Sequence, residues 1–179
     1  MHSIPLVVRL VLATVVLTAA VYDFRFRRIP NWLNLSGLVL GFGLNALFFQ
    51  MHGAIAAGQG LLFAILIYMP LYLLRAMGAG DVKLMAALGS LVGPWNWLQI
   101  FLATAIAGGI VAAGLILFKR RFTDTCWNVW LLLKELSHFR APHRGSAQLD
   151  VRNAAALRMP HGVLIAIGSL VFLLFVAHA

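Results

Sequence analysis

The sequence is poor in the residues on which many catalytic and metal sites depend. Its single cysteine, Cys126, excludes an internal disulfide and any four-cysteine zinc site. His138 and His143 have no partner spacing typical of metal ligands, and none of the six serines lies in a His-and-acid context that predicts a serine triad. The chain has only five acidic residues, so each one can be considered individually.

Long apolar runs are what the sequence has in abundance. Hydrophobic residues make up 62% of the 179 positions, charged residues make up 11%, and the mean hydropathy is +0.92. The apolar content exceeds that of ordinary globular domains and the charged fraction is lower, which predicts an all-α, polytopic membrane protein. The formal net charge is +9, but the basic residues stand in short blocks between apolar runs. They therefore indicate membrane topology rather than nucleic-acid binding.

The apolar runs predict about six transmembrane helices in a single membrane-embedded domain, residues 1–179. The runs cover approximately 4–22, 32–50, 54–74, 82–97, 98–118 and 163–177. The core of the fourth run, 82–92, is shorter than a full crossing and leaves open whether it spans the membrane. Gly93-Pro94 is expected to break the chain there, with Trp95 and Trp97 at an interface. A helix-packing role is expected for three small residues of the fifth run, Gly108, Gly109 and Gly114.

Basic residues orient the predicted helices. Arg25, Arg27 and Arg28 place the link after the first helix on the cytoplasmic side under the positive-inside rule. The segment 119–158 carries eight Lys or Arg against three acids, which predicts a basic cytoplasmic loop. An amphipathic pattern over 126–139 is suited to a helix on the membrane surface.

Two aspartates stand at the cytoplasmic ends of predicted helices. Asp81 lies between Gly78-Ala79-Gly80 and Lys83, and Asp23 ends the first helix. Carboxylates at the edge of a membrane are costly and are functional candidates. The simpler interpretations are that Asp81 caps the helix that follows it and that Asp23 pairs with its own arginines. Lys83 either favours the charged form of a nearby carboxylate or extends its ammonium to the membrane surface.

A membrane aspartic protease needs at least two carboxylates on different helices at the same depth in the membrane. When like groups share a site, only one of them ionises easily, so the pair holds one proton between them. The ionised member can take a proton from an attacking water while the protonated member stabilises the developing oxyanion. This chemistry needs neither a metal nor another cofactor.

These motifs resemble those of the prepilin peptidases, the bacterial membrane aspartic proteases of the Gly-x-Gly-Asp type. The resemblance is carried by Gly78–Leu84, by Asp23 with the following Arg27–Asn31, and by Met159–Val163. In the last motif, His161 stands where the family usually has Tyr. The resemblance covers essentially the whole chain.

The resemblance implies that Asp23 and Asp81 are the catalytic pair, supported by Gly78, Gly80 and Lys83. It implies a prepilin or pseudopilin substrate whose short basic leader is cut at the cytoplasmic face of the bacterial inner membrane. The longer family members carry an N-terminal cytoplasmic domain with paired Cys-x-x-Cys motifs, which this chain lacks. N-methyltransferase activity is therefore not expected, and the short form resembles the peptidases of tight-adherence (Flp-type) pilus systems.

Three alternatives remain at this point, and the oligomeric state stays open. A presenilin-like intramembrane protease has similar motifs, but its two aspartates lie on consecutive helices, whereas here two apolar runs separate them. An archaeal preflagellin peptidase would share the architecture and chemistry. A proton-coupled carrier is the alternative from another functional class, but it should hold its acids near the bilayer midplane rather than beside cytoplasmic arginines.

The proposed chemistry predicts a pattern of inhibition. Because neither a nucleophilic serine nor a metal is needed, serine-protease reagents and chelators should leave proteolytic activity unchanged within about twofold. The measurement is peptide cleavage in detergent with and without each reagent. Loss of cleavage on chelation would point to a metal site instead.

Overall fold

The computed structural model describes residues 4–74, 77–119 and 161–178, which form four α-helices. They are α1 (Leu6–Phe26), α2 (Asn31–Leu73), α3 (Ala79–Lys119) and α4 (His161–His178). No β-strand occurs in these three ranges, and the predicted all-α fold class is confirmed for them. The predicted loop 119–158 lies outside the described residues except for Lys119, as does its possible interfacial helix.

The helix α2 is a hairpin rather than a straight rod. Its backbone leaves helical geometry at Gln50, where φ is 52° and ψ is −137°. A methyl group placed on Gly58 would lie 4.0 Å from the ring of Phe42, although a straight helix would separate the two residues by about 24 Å. The helix therefore consists of two legs that run side by side in opposite directions. The first leg is residues 31–49, and the second leg is residues 51–73.

The helix α3 reverses in the same way at Gly93, where φ is 76° and ψ is 173°. Glycine suits this left-handed backbone, and Pro94 follows it. The indole nitrogen of Trp97 donates a hydrogen bond of 2.9 Å to the Met85 carbonyl, whereas a straight helix would separate these residues by about 18 Å. The break predicted at Gly93-Pro94 is confirmed, and it divides α3 into a first leg, 79–92, and a second leg, 94–119.

The expectation that both tryptophans after this break lie at an interface is wrong for one of them. Trp95 is 76% exposed, but Trp97 is fully buried. Its ring stacks on Phe101 at 5.5 Å and meets the edge of Tyr68 at 6.0 Å. The reason is helix geometry, because residues two positions apart point about 200° apart around the axis. Trp97 thus belongs to the protein core rather than to an interface.

Backbone contact joins the second leg of α2 to the first leg of α3. A Cβ added to Gly60 would overlap the carbonyl of Gly89, and a Cβ added to Gly89 would overlap that of Gly60. By contrast, an added Cβ at Gly109 or Gly114 would meet nothing within 4 Å. The predicted packing role is therefore wrong for those two glycines among the described residues, while Gly108 faces Leu164 at an ordinary 3.5 Å.

The helices have the length and composition of membrane spans. Leu6–Phe26, Asn31–Leu73 and Ala79–Gly114 are each long and apolar enough to cross a bilayer, and His161–Phe175 is a shorter apolar helix. Large apolar side chains are exposed on them, including Leu47 at 80% and Leu66 at 70%, as expected where lipid surrounds a protein. These features indicate a multi-pass helical membrane protein.

The glycine contact predicts a difference between two alanine substitutions on α2. Gly60→Ala should destabilise the protein by about 1–3 kcal/mol, because its methyl group would be forced into the Gly89 backbone. Gly43→Ala should be neutral or stabilising by up to about 1 kcal/mol, because that position is exposed with nothing within 4 Å and alanine favours helix. Unfolding in detergent measures both, and equal effects would contradict the close approach.

Candidate active site

Asp23 lies near the carboxyl end of α1, and its side chain is only 8% exposed. The helix ends because Arg27 takes a left-handed conformation, with φ at 51°, and donates its backbone N–H to the Asp23 carbonyl at 2.9 Å. The chain then turns through Pro30 into α2. Within the described residues no ion pair joins Asp23 to Arg25, Arg27 or Arg28. The simpler interpretation, in which this carboxylate pairs with its own arginines, therefore does not hold there.

The partner of Asp23 comes from the opposite end of the sequence. The backbone N–H of Gly162, in the first turn of α4, donates a 2.7 Å hydrogen bond to Oδ2 of Asp23. The first N–H groups of a helix have no partner within the helix, and the helix dipole favours negative charge there. A Cβ on Gly162 would lie 3.0 Å from both Cβ and Oδ2 of Asp23. Glycine therefore lets the two backbones come close enough for this bond.

Asp81 stands in the first turn of α3. Its backbone N–H donates to the Gly78 carbonyl at 3.2 Å, and a Cβ added to Gly78 would lie 3.2 Å from Oδ2 of Asp81. The carboxylate thus folds back over the backbone of Gly78. Asp81 is half-buried, so it lies between the interior and the surface of the described residues.

Gly80 and Lys83 connect this turn to the start of α2. A Cβ added to Gly80 would lie 3.4 Å from Cβ of Ile29, which precedes α2. The exposed Lys83 donates a 2.9 Å hydrogen bond from Nζ to Oδ1 of Asn31. Lys83 therefore links two helix entrances.

The two aspartates lie within electrostatic range of each other. Tyr68 from the second leg of α2 lies within the same range of Asp81, and His161 from α4 within that of Asp23. No group of three or more His, Cys, Asp or Glu that could hold a metal ion occurs among the described residues. The arrangement therefore brings a phenol and an imidazole into electrostatic range of two carboxylates, and groups of these kinds can exchange protons with a bound water.

Comparison with known proteins identifies the family. Residues 10–113 match the type IV leader peptidase family. The chain belongs to that family. The match spans more than half of the sequence and contains both aspartates.

A relative and the solved structures complete the comparison. The chain is 36% identical over 128 residues to the prepilin leader peptidase/N-methyltransferase of Escherichia coli (strain K12). This match covers 66% of this chain and 56% of the relative. This member of the leader peptidase family thus spans little more than half the length of that curated relative. No solved structure matches the chain significantly.

Sequence reasoning singled out both aspartates but missed three of their neighbours. The role of Gly162 was not foreseen, although it lies in the quoted motif Met159–Val163, because only the folded chain brings it to Asp23. His161 was noted as a departure from the family pattern without a role. Tyr68 was missed, and the only signal for it was a hydroxyl within the apolar run 54–74.

Proposed function

We propose that this chain is a membrane aspartic endopeptidase that removes the short basic leader of prepilins or pseudopilins. Asp23 and Asp81 are its catalytic residues. The observation that supports the proposal is that Asp23 of α1 and Asp81 of α3 lie within electrostatic range of each other, although they stand on different helices. Membership of the type IV leader peptidase family supports the substrate class.

The surroundings of the two carboxylates suggest a division of labour. The Gly162 N–H and the amino end of α4 stabilise negative charge on Asp23. Asp23 accordingly takes a proton from the water while the water oxygen attacks the scissile carbonyl. Protonated Asp81 donates a hydrogen bond to the oxyanion that forms. When the peptide C–N bond breaks, the leaving nitrogen accepts the proton held by Asp23. The products are a free carboxyl group and a free amine.

The supporting residues act through position in this proposal. Gly78 leaves room for the Asp81 carboxylate to fold back over the chain. Gly80 lies at ordinary contact distance from Ile29 in the loop before α2, and Lys83 links the two helix entrances through Asn31. No cofactor takes part in these steps.

The topology proposed for the chain has six crossings. Six apolar helical stretches are available for these crossings. They are α1, the two legs of α2, the two legs of α3, and α4. With Arg25, Arg27 and Arg28 on the cytoplasmic side, both aspartates lie at the cytoplasmic face of the bacterial inner membrane. That is where a basic leader, which resists translocation, remains available to a protease.

Replacing either aspartate tests the catalytic assignment. Asp23→Asn and Asp81→Asn should each lower the rate of leader removal by at least about 100-fold, because each amide keeps the shape but cannot exchange the required proton. The measurement is single-turnover cleavage of a synthetic prepilin peptide in detergent. Omitting any membrane gradient separates a protease from a proton-coupled carrier.

Asp124→Asn is the matched control, since it removes a carboxylate from outside the proposed pair. It should cleave at the normal rate. Unchanged unfolding midpoints for the Asp23 and Asp81 variants would show that the loss is chemical. Normal leader removal by either variant would contradict the pair.

The contact between α4 and Asp23 predicts a second loss of activity. Gly162→Ala should slow cleavage by about 10- to 100-fold, because the added methyl group would displace the Asp23 carboxylate and misplace the attacking water. Gly109→Ala, an open position on α3, should cleave normally. The assay is again peptide cleavage in detergent, and equal rates for the two variants would argue against positioning by α4.

A further inference from the structure

A groove of about 460 Å³ lies between the two legs of α2 and the first turns of α3. Most of its wall is apolar, with Leu35 and Leu38 from one leg of α2 facing Leu61 and Ile65 from the other. Its polar lining consists of Asn31, Asn34 and Lys83. Val82 also lines it, so the groove begins one residue along the chain from the proposed catalytic Asp81.

Asn34 is the unexplained residue of this groove. Its side chain is 4% exposed, and neither its Oδ1 nor its Nδ2 has a hydrogen-bond partner among the described residues. Buried polar groups are nearly always paired, and leaving them unpaired is destabilising. Asn45, a similarly buried amide of the same leg, shares its Nδ2 among the carbonyls of Gly41, Ser90 and Leu91 at 2.9–3.0 Å. The structure satisfies one amide and leaves the other, buried in the wall of the groove, without a partner among the described residues.

The depth of Asn34 relative to Asp81 follows from neighbouring contacts. Ile29 meets Gly80, and an added Cβ on Gly37 would lie 3.3 Å from Ala87. The first legs of α2 and α3 thus run in the same direction, which puts Asn34 level with residues 84 and 85. Asn34 therefore lies roughly 5–6 Å deeper along the helices than Asp81, at about 1.5 Å per residue.

The chemistry of the free amide selects its ligand. Asn34 offers one acceptor and two donor protons side by side. A lipid acyl chain can bond neither, and a phosphate group can only accept. An extended peptide backbone presents an N–H and a C=O together, whereas in a helix these groups are already bonded to each other.

We propose that the amide of Asn34 binds the extended backbone of the substrate just beyond the scissile bond, while the apolar side chains of that segment lie in the groove. This inference rests on the proposed function. With about 3.3 Å per extended residue, the distance from Asp81 places the bonded peptide group one or two residues after the cleaved bond. Substrates with an apolar segment directly after the cleavage point fit this surface.

Asn34→Leu tests the proposal because it separates binding from folding. Leucine keeps a similar volume and removes the unpaired amide. The variant should therefore unfold at a higher temperature in detergent, yet its KM for a prepilin peptide should rise about tenfold with kcat within twofold. A merely structural role for Asn34 would lower the unfolding temperature and leave KM unchanged.

Thr104→Val is the matched control. Thr104 is also buried, and its hydroxyl has no partner among the described residues, but it lies on the second leg of α3 against Gly168. Its replacement should raise the unfolding temperature without changing KM. A KM that rises equally in both variants would overturn the assignment of Asn34.

Photo-crosslinking gives a second readout with Asn34 intact. A photoreactive side chain at Ile65, in the groove wall, should capture the peptide in the Asp81→Asn background, whereas one at the exposed Ile106 of α3 should not. Capture at Ile106 alone, or an Asn34→Leu variant with unchanged KM, would mean that the groove holds only water or lipid. Failure of the unmodified chain to cleave any prepilin would instead reject the proposed function.

Discussion

The hydrogen bond from the Gly162 backbone to the Asp23 carboxylate is the interaction on which the site depends. A carboxylate that is 8% exposed at the edge of a membrane protein is costly unless it finds a partner. Here the partner is a helix end, which supplies a free N–H and a favourable dipole without adding a positive charge. A lysine or arginine in that place would neutralise Asp23. A backbone N–H leaves the carboxylate able to accept a proton, which the proposed chemistry requires.

The two hairpins position the second carboxylate relative to the first. Gln50 and Gly93 reverse the chain within α2 and α3, and Asn45 bonds to the carbonyls of Ser90 and Leu91 beside these reversals. Gly60 and Gly89 hold two of the legs at backbone contact. Because the legs cannot slide without breaking this contact, Asp81 is held at a fixed height on α3. These contacts thus position one member of the proposed carboxylate pair.

The sequence was sufficient for the helical class, for the break at Gly93-Pro94 and for the choice of Asp23 and Asp81 as candidates. These features follow from local properties such as apolar length, backbone freedom and the rarity of acids. The burial of Trp97 and the packing of Gly60 on Gly89 were not predictable from the sequence alone. They depend on which helix faces meet. Each of the four described helices is apolar on nearly all sides, so periodicity does not identify the inner face.

The same limit explains why Gly162, Tyr68 and Asn34 were not recognised. Each acquires its meaning from a residue on another helix. Within its own segment each is an unremarkable glycine, phenol or amide. The proposed catalytic pair is recognisable from its unusual chemistry, whereas its surroundings are recognisable only from geometry.

The central claim is that Asp23 and Asp81 meet at one face of the membrane. The most direct test introduces cysteine at both positions in a Cys126→Ser background and treats intact membranes with a short bifunctional thiol reagent. The account predicts an intramolecular crosslink, and modification of both thiols from the cytoplasmic side only. Two thiols that react from opposite sides, or that react singly but never crosslink, would contradict it.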